Sequence, residues 1–307
     1  MQKESAPPSS IAAKESPAYT VFRVLCRPRL RKAALRAAKS MVYNFFFLQY
    51  KAALLPGRIP VSSVDHPLDA EIPFSPKYVA VYLDFVAFWI RAAGFLLSQY
   101  GRRAEAPVMD FIDTLGQLYA FAAEIYTENL STTRRPRYYG SFRFVLIHAA
   151  DPHLMCIPSL HVMVVIRTYT KFRAVIRSMG DEERFAAQLE ELRQGALDIT
   201  EAVLYVKQHS VNCVSASLYA MSRFDPALFP GEEAAGFVSA LFTRPGSPGK
   251  SESLRAYIFE KYRQFLDEGK LGNWKAPLLD FLASRGSSAS TACLGVWEPC
   301  NQAKPDC

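Results

Sequence analysis

The sequence IPSLHVMVVIRTYTKFRAVIRS, residues 157–178, predicts a long helix that starts at Pro158 and Ser159, two residues that favour helix N-termini. Similar stretches with helical spacing of apolar residues fill most of the chain, and Pro, Gly and Ser residues separate them. Strand signals are scarce. The pattern therefore predicts an all-α helical bundle, with helices near residues 29–54, 76–100, 106–128, 138–149, 159–178, 182–208, 211–223, 232–243, 251–268 and 275–284.

The length of 307 residues suits one large domain or two small ones. We predict a single all-helical domain at 21–285, a disordered leader at 1–20 and a flexible, Cys-containing tail at 286–307. Half of the residues are hydrophobic and 21% are charged, which excludes collagen-like, low-complexity and wholly disordered chains. Lys and Arg number 36 against 29 Asp and Glu, and the resulting net charge of +7 points to an anionic partner.

The N-terminal stretch, MQKESAPPSSIAAKESPAYT, lacks the apolar core of a secretory signal peptide. Without an export signal, the six cysteines are expected to be reduced thiols. Three of them, Cys293, Cys300 and Cys307, are interpreted as exposed thiols of the tail. We therefore expect a cytoplasmic protein, which could lie peripherally at the inner face of a membrane.

The apolar stretch from Tyr78 to Tyr100 is long enough to cross a bilayer. Asp84 and Arg91 lie within it, seven residues apart and so on one helical face. Charges at membrane depth are costly unless a helical bundle buries them. The pattern favours a core helix of a soluble domain, and a membrane span is the alternative.

A basic amphipathic helix is predicted near the N-terminus. Arg29, Lys32, Arg36 and Lys39 form one stripe, and the helix ends in the aromatic stretch FFFLQY at 45–50. Such a helix can lie on an anionic membrane surface, with its aromatic end in the interface. It can equally be a surface helix whose apolar side packs into the core. No nucleic-acid recognition motif is present, so we predict no nucleic-acid partner.

Three histidines and a cysteine crowd into the segment HAADPHLMCIPSLH at 148–161. A metal site there would use His148, His153, Cys156 and His161. Their spacing matches no established zinc pattern, so metal binding is the minor hypothesis and we predict no metal and no cofactor.

Phosphate chemistry fits the same region better. Arg134 and Arg135 lie beside a turn, and guanidinium groups hold phosphate oxygens bidentately. Ser159 opens the helix at 159–178, and a helix N-terminus offers free N–H groups to an anion. The helices at 159–178 and 182–208 form a predicted hairpin, which allows His209 to face His161. Of two imidazoles, one can attack phosphorus and the other can protonate the leaving oxygen.

These motifs resemble the type 2 phosphatidic acid phosphatase (PAP2) superfamily over about residues 128–222. Arg135-Pro136 is similar to the end of the first family motif, Pro158-Ser159-Leu160-His161 to the second, and Lys207-Gln208-His209 to the third. The resemblance implies an all-α, haloperoxidase-like core, a phosphohistidine at His209 and a general acid at His161. It also implies phosphate-binding roles for Arg135, Ser159 and Lys207, no metal, and a lipid or isoprenoid phosphate as substrate.

Three positions depart from the family pattern. Glu128 replaces the Lys of the first motif, Val203 replaces a frequent Arg, and Cys213 replaces the Asp that follows the nucleophile by four residues. Without that carboxylate, the imidazole loses the group that orients it and stabilises its charge. Arg134 and Lys207 could compensate in charge. The alternative hypothesis is thus a catalytically inactive PAP2-like helical protein that binds anionic lipid or a protein partner.

Overall fold

The computed structural model describes residues 10–11, 15–286 and 296–297. Its regular structure is almost entirely helical, so the fold is all-α. The helices are α1 (Pro17–Leu25), α2 (Pro28–Met41), α3 (Leu48–Leu54), α4 (Val79–Leu83), α5 (Phe85–Tyr100), α6 (Glu105–Tyr126), α7 (Phe142–Ala150), α8 (Leu160–Met179), α9 (Ala186–Tyr205), α10 (Val211–Phe224), α11 (Gly231–Ala240), α12 (Ser251–Glu268) and α13 (Ala276–Ser284). A π-helical segment, Val42–Phe47, joins α2 to α3, and 3₁₀ turns occur at Pro67–Glu71, Pro76–Tyr78, Gly101–Ala104 and Gly269–Leu271.

Two short parallel strand pairs accompany the helices. β1 (Val61–Ser63) pairs with β2 (Leu130–Thr132), which directly follows α6. β3 (Arg135–Pro136) pairs with β4 (Val296–Trp297). Strands β2 and β3 follow α6 along the chain, and β3 begins at Arg135, one of the predicted phosphate-binding residues.

Regular structure occurs near both predicted ends of the domain. Helix α1 starts at Pro17, inside the leader predicted at 1–20, because Ser16 accepts a hydrogen bond from the Tyr19 N–H and Pro17 suits the first helical turn. The backbone of β4 is paired, although it lies in the tail predicted at 286–307. The rest of the leader and tail, with Cys293, Cys300 and Cys307, lies outside the described residues.

Helices α8 and α10 form the centre of the core. α8 packs against α5, α6, α9 and α10, and most of its side chains are buried. The chain turns at Gly180, whose φ of 76° favours glycine, and α9 returns along α8. This predicted hairpin carries the chain from His161 back to His209.

The predicted helix at 76–100 is divided at Asp84 into α4 and α5. Asp84 accepts a hydrogen bond from Arg91 Nη1 at 3.0 Å, so the two charges compensate each other. In the described part of the chain, Pro76–Tyr126 is the one helical region long and apolar enough to cross a membrane, and 44% of its most apolar window is buried in the protein. Core helices of soluble proteins pass the same test.

Helix α2 lies along α6, with Leu30, Ala33 and Ala37 buried between them. The two backbones approach closely at Gly116, where an added Cβ would lie 2.9 Å from the Cα of Ala37. The basic amphipathic helix therefore packs its small apolar side into the core, as the second interpretation of that helix required.

Residues 225–285, to which sequence analysis assigned no role, complete the core around α10. α12 packs against α10, and α13 packs against α12. Tyr257 on α12 donates a hydrogen bond to Asn212 Oδ1 at 2.6 Å. This region thereby fixes the start of α10, close to His209.

Candidate functional site

His209 lies in a tight turn between α9 and α10. The main-chain N–H groups of Gln208 and His209 both donate to the carbonyl of Val203, at N···O distances of 3.0 and 3.2 Å. Lys207 adopts a left-handed conformation with φ of 55°, which makes the reversal possible. Ser210 then caps α10 by accepting from the Asn212 N–H. The turn holds the His209 ring rigidly at the start of α8.

The structure brings the two predicted imidazoles together. The ring centroids of His161 and His209 are 5.5 Å apart, with an angle of 63° between the ring planes. His209 Nε2 lies 3.1 Å from the hydroxyl oxygen of Ser159, at hydrogen-bond distance. Residues from PSLH and from KQH, about fifty positions apart in the chain, thus form one polar cluster, which we call the imidazole cluster: Ser159, His161 and His209.

The side chain of Ser159 is directed at His209 rather than at the helix that it precedes. Ser159 stands at the N-cap of α8, but its hydroxyl makes no capping hydrogen bond. Its main-chain N–H donates to Ser217 Oγ at 2.7 Å, and Ser217 in turn donates to the carbonyl of Cys213. These buried contacts fix the backbone and leave the hydroxyl at the imidazole.

His161 is half-buried among aromatic rings. Its ring centroid lies 4.5 Å from that of Tyr82, in a stacked arrangement, and 4.3 Å from that of Phe85. Burial lowers the pKa of His161 to about 3, and the neighbouring His209 acts in the same direction. The ring is consequently a neutral imidazole at pH 7.

Arg135 lies close to the turn that carries His209. Its Nη1 donates to Gln208 Oε1 at 3.4 Å, and its Nη2 donates to the carbonyl of Asp151 at 3.3 Å. The Asp151 carboxylate is 3.9 Å from Nη1 and forms a longer ion pair. The guanidinium is therefore held beside the residue that precedes His209, and 17% of its side chain remains exposed.

The other two predicted phosphate-binding side chains lie elsewhere. The Lys207 ammonium donates to the carbonyls of Asp69 and Ile72, and its burial there lowers its pKa. Arg134 is exposed, and its main-chain N–H donates to Asp65 Oδ1 at 2.9 Å. Among the contacts of the described residues, none joins either side chain to the imidazole cluster. Of the predicted phosphate ligands, Ser159 belongs to the cluster, and Arg135 contacts Gln208 next to His209.

A second buried group, which the sequence did not predict, lies beside the site. His153 Nε2 is 2.8 Å from Thr133 Oγ1 and 3.7 Å from Cys156 Sγ. Asp151 Oδ1 accepts a hydrogen bond from the main-chain N–H of His153 at 2.8 Å. Burial acts to lower the pKa of His153, but Cys156 and Asp151 raise it to about 9. Burial acts to raise the pKa of the Cys156 thiol, whereas hydrogen bonding from Cys213 and the charge of His153 lower it well below its usual range.

The sequence indicates no role for His153 and Cys156 other than as candidate metal ligands, which is why this group was not predicted. In the structure, the His148 ring instead contacts Tyr139 and Phe144. Across the residues that the structure describes, no group of three or more His, Cys, Asp and Glu side chains is arranged to hold a metal ion. The alternation of Asp151 and His153 near Cys156 is the signal from which their contact could have been suspected.

The three departures from the PAP2 pattern have structural counterparts. Glu128 forms an exposed ion pair with Lys275 at 2.7 Å, and Val203 is a core residue. Cys213 is buried, and its sulfur accepts from the Ser210 N–H at 3.4 Å. His209 Nδ1 is buried and, in the described part of the chain, has no hydrogen-bond partner. The sequence position at which the family pattern has the orienting Asp thus carries a buried thiol.

Comparisons of the chain with protein-family models, with curated proteins and with solved structures found no match. The structure itself shows an all-α protein with two histidines and a serine in contact. The PAP2 resemblance stays a prediction that depends on the residues of the three motifs.

Proposed function

We propose that this protein hydrolyses or transfers the phosphate group of a phosphate monoester, without a metal, through a phosphohistidine at His209. One observation carries the proposal: His209 Nε2 lies 3.1 Å from Ser159 Oγ while the His161 ring is a direct neighbour of the His209 ring. A nucleophile, a hydroxyl donor and a second imidazole are then neighbours, and the Arg135 guanidinium is hydrogen-bonded to Gln208, the residue before the nucleophile. These are the parts that acid-assisted attack on phosphorus requires.

The first step is attack by the lone pair of His209 Nε2 on the phosphorus atom. A P–N bond forms, the bond from phosphorus to the leaving oxygen breaks, and His161 gives its proton to that oxygen. Arg135 and Ser159 hold the equatorial oxygens, whose charge is stabilised by preorganised donors. Attack from Nε2 requires the tautomer of the neutral His209 ring in which the proton is on Nδ1 and the lone pair is on Nε2.

The second step returns the protein to its starting state. Neutral His161 removes a proton from water, whose oxygen attacks the phosphorus of the phosphohistidine. The P–N bond breaks and its electrons return to His209 Nε2. His161 gives the proton taken from water to the departing phosphate, which leaves as the monoanion, so both imidazoles are neutral again. An alcohol in place of water would give phosphate transfer.

The proton for the first step arrives with the substrate. His161 is neutral in the free protein because its pKa is about 3. A phosphate monoanion brings both a proton and a negative charge, and the charge raises the pKa of an adjacent imidazole. Binding of substrate therefore protonates the general acid that the first step uses.

We propose a lipid or isoprenoid phosphate as the substrate class, met by a cytoplasmic protein at the inner face of a membrane. Apolar rings next to His161, those of Tyr82 and Phe85, favour an apolar leaving group over a sugar or a nucleoside.

Substrates with different leaving groups separate the two histidine roles. We expect His209→Ala to abolish phosphate release from phosphatidic acid, an isoprenyl monophosphate and p-nitrophenyl phosphate alike. His161→Ala should slow release from the two lipids by about 10²–10⁴-fold, the usual contribution of a general acid. Nitrophenolate leaves without a proton, so p-nitrophenyl phosphate should be affected far less. His148→Ala serves as the matched control, and equal rates for wild type and His209→Ala would overturn the proposal.

A second candidate function is supported by the unpartnered Nδ1 of His209. A protein without the orienting carboxylate could bind an anionic lipid headgroup, or a protein partner, without turnover. In that case phosphate would perturb the nuclear magnetic resonance signals of His161 and His209, whereas no phosphate would be released from any substrate. Phosphate release that depends on His209 excludes this candidate.

A further inference from the structure

The exposed apolar side chains of this protein are concentrated in two segments. Of the seventeen large hydrophobic side chains that are exposed in the described residues, sixteen lie within 19–55 or 139–146. The exception is Val86 on α5. No large hydrophobic side chain is exposed between 147 and 286, within the range that the structure describes. Such clustering marks an interaction surface, since single exposed hydrophobics are normally scattered.

The first segment carries its apolar side chains on the outer face of α2, the π-helical segment and α3. The inner faces of α2 and of the π-helical segment pack on α6. On α2 the exposed side chains are mostly basic, and Leu35 is the one large hydrophobic among them. From Val42 onward the exposed side chains are mostly aromatic or aliphatic, at helical spacing: Val42, Tyr43, Phe46, Phe47, Tyr50 and Leu54. From Val42 to Leu54 the exposed side is thus the reverse of an ordinary surface helix, whose solvent side is polar.

The second segment is helix α7 with the residues before it. Phe142 is 79% exposed and Tyr139 is 64% exposed, while Phe144 and Ile147 on the other side are buried. Tyr50 donates a hydrogen bond to the carbonyl of Ala150 at 2.6 Å, which joins the end of α7 to α3. The two segments are therefore neighbours, and we call their combined outer surface the aromatic face: the exposed side chains of 19–55 and 139–146.

The charge of these segments is uniformly positive. Residues 16–64 contain nine Lys and Arg and no Asp or Glu, and residues 129–150 contain four Arg and no acidic residue. Arg36, predicted as part of the basic stripe, forms a bidentate ion pair with Asp113, so its charge is compensated. Arg29, Lys32 and Lys39 are exposed and leave the stripe positive.

We infer that the aromatic face docks this protein on an anionic phospholipid bilayer. Aromatic rings prefer the headgroup region, and Lys and Arg are attracted to anionic lipids. A protein partner for this face would need a matching acidic and apolar surface, whereas a bilayer offers both over the whole area. The inference uses no residue of the imidazole cluster, so it stands or falls independently of the proposed phosphate chemistry.

The docked orientation has a consequence for the site. Helix α7 ends at Ala150, and the next residue, Asp151, accepts the hydrogen bond from Arg135. The nine residues of α7 span about 14 Å. If Phe142 inserts into the bilayer interface, the far end of α7, where Arg135 is bound, therefore lies within about that distance of the lipid phosphates, and the imidazole cluster is close to it.

Flotation of the full-length protein with lipid vesicles tests the inference. We expect binding to phosphatidylcholine vesicles that contain phosphatidylserine to be at least about tenfold stronger than to phosphatidylcholine alone, and to weaken in high salt. Changing Phe46, Phe47 and Phe142 together to Ser should weaken binding by about tenfold or more. Lys32→Gln with Lys39→Gln should remove most of the preference for the anionic vesicles.

Val86→Ser is the matched control, because among the described residues Val86 is the one large exposed hydrophobic outside the aromatic face. Circular dichroism and thermal unfolding verify that each variant is folded, as expected for changes at exposed positions. Equal binding to both vesicle types would overturn the inference, and so would unchanged binding of the triple Phe variant. A third outcome would also overturn the inference. If the wild type fails to float but self-associates, and the triple Phe variant does not self-associate, a second copy of the chain covers the aromatic face.

Discussion

The pH dependence of stability tests whether His161 is buried as a neutral imidazole. Tyr82 and Phe85 cover its ring, and burial lowers its pKa to about 3. In the unfolded chain a histidine has a pKa of about 6.5. At pH 5 the unfolded chain therefore binds a proton at this residue while the folded chain does not. Lowering the pH from 7 to 5 should favour unfolding through His161.

The size of this effect follows from the two pKa values. Proton linkage with values of about 6.5 and about 3 lowers the free energy of unfolding by about 2 kcal/mol between pH 7 and pH 5. His161 is only half-buried, and contact with solvent reduces the expected contribution to about 1–2 kcal/mol.

Urea unfolding followed by circular dichroism at both pH values measures the effect in wild type and in His161→Gln. The variant lacks the titrating ring, so its free energy of unfolding should fall by about 1–2 kcal/mol less than that of wild type. Other titrating groups, such as His153 and the carboxylates, are present in both proteins and cancel. The same pH dependence in both proteins would refute the burial of a neutral His161. Added inorganic phosphate should reduce the acid sensitivity of wild type alone, since a bound anion raises the pKa of the ring.

Three further substitutions have defined outcomes. Cys213→Asp supplies a carboxylate to orient His209 and should raise phosphate release by about tenfold or more, whereas Cys213→Asn should not. Arg135→Ala removes a charge-assisted donor of about 1.5–3 kcal/mol and should raise KM for p-nitrophenyl phosphate by at least about tenfold, while Arg134→Ala should change it little. Gly116→Val forces α2 away from α6 and should lower the free energy of unfolding by about 1–3 kcal/mol, measured by urea unfolding.

Most of the fold was predictable because long helices show apolar residues at helical spacing in the sequence. Each of the ten predicted helices corresponds to helical structure, with shifts of a few residues at the ends. The break at Asp84 was not predicted, because the apolar pattern runs through it and the charge of Asp84 pairs with Arg91 seven residues later. Helix α1 was not predicted, because the residues before it are mostly polar and the helix start at Ser16 and Pro17 does not stand out from them.

The candidate site was predictable only in part. The contact between His161 and His209 followed from two motifs and a hairpin, which are local features. The direction of the Lys207 side chain depends on a left-handed residue in the turn and on carbonyls at 69–72, which no pattern near Lys207 reveals. The same holds for Asp151, whose carbonyl meets Arg135 only after β3 and α7 are placed. Long-range geometry of this kind is set by packing and not by sequence spacing.

Trapping the covalent intermediate tests the central claim most directly. The full-length protein is incubated with phosphate-labelled p-nitrophenyl phosphate and quenched in alkali, where phosphohistidine survives, and the labelled peptide is then identified by mass spectrometry. We predict label on His209 in wild type and in His161→Ala, and none in His209→Ala. Label on another residue, or turnover without any labelled histidine, would contradict the account.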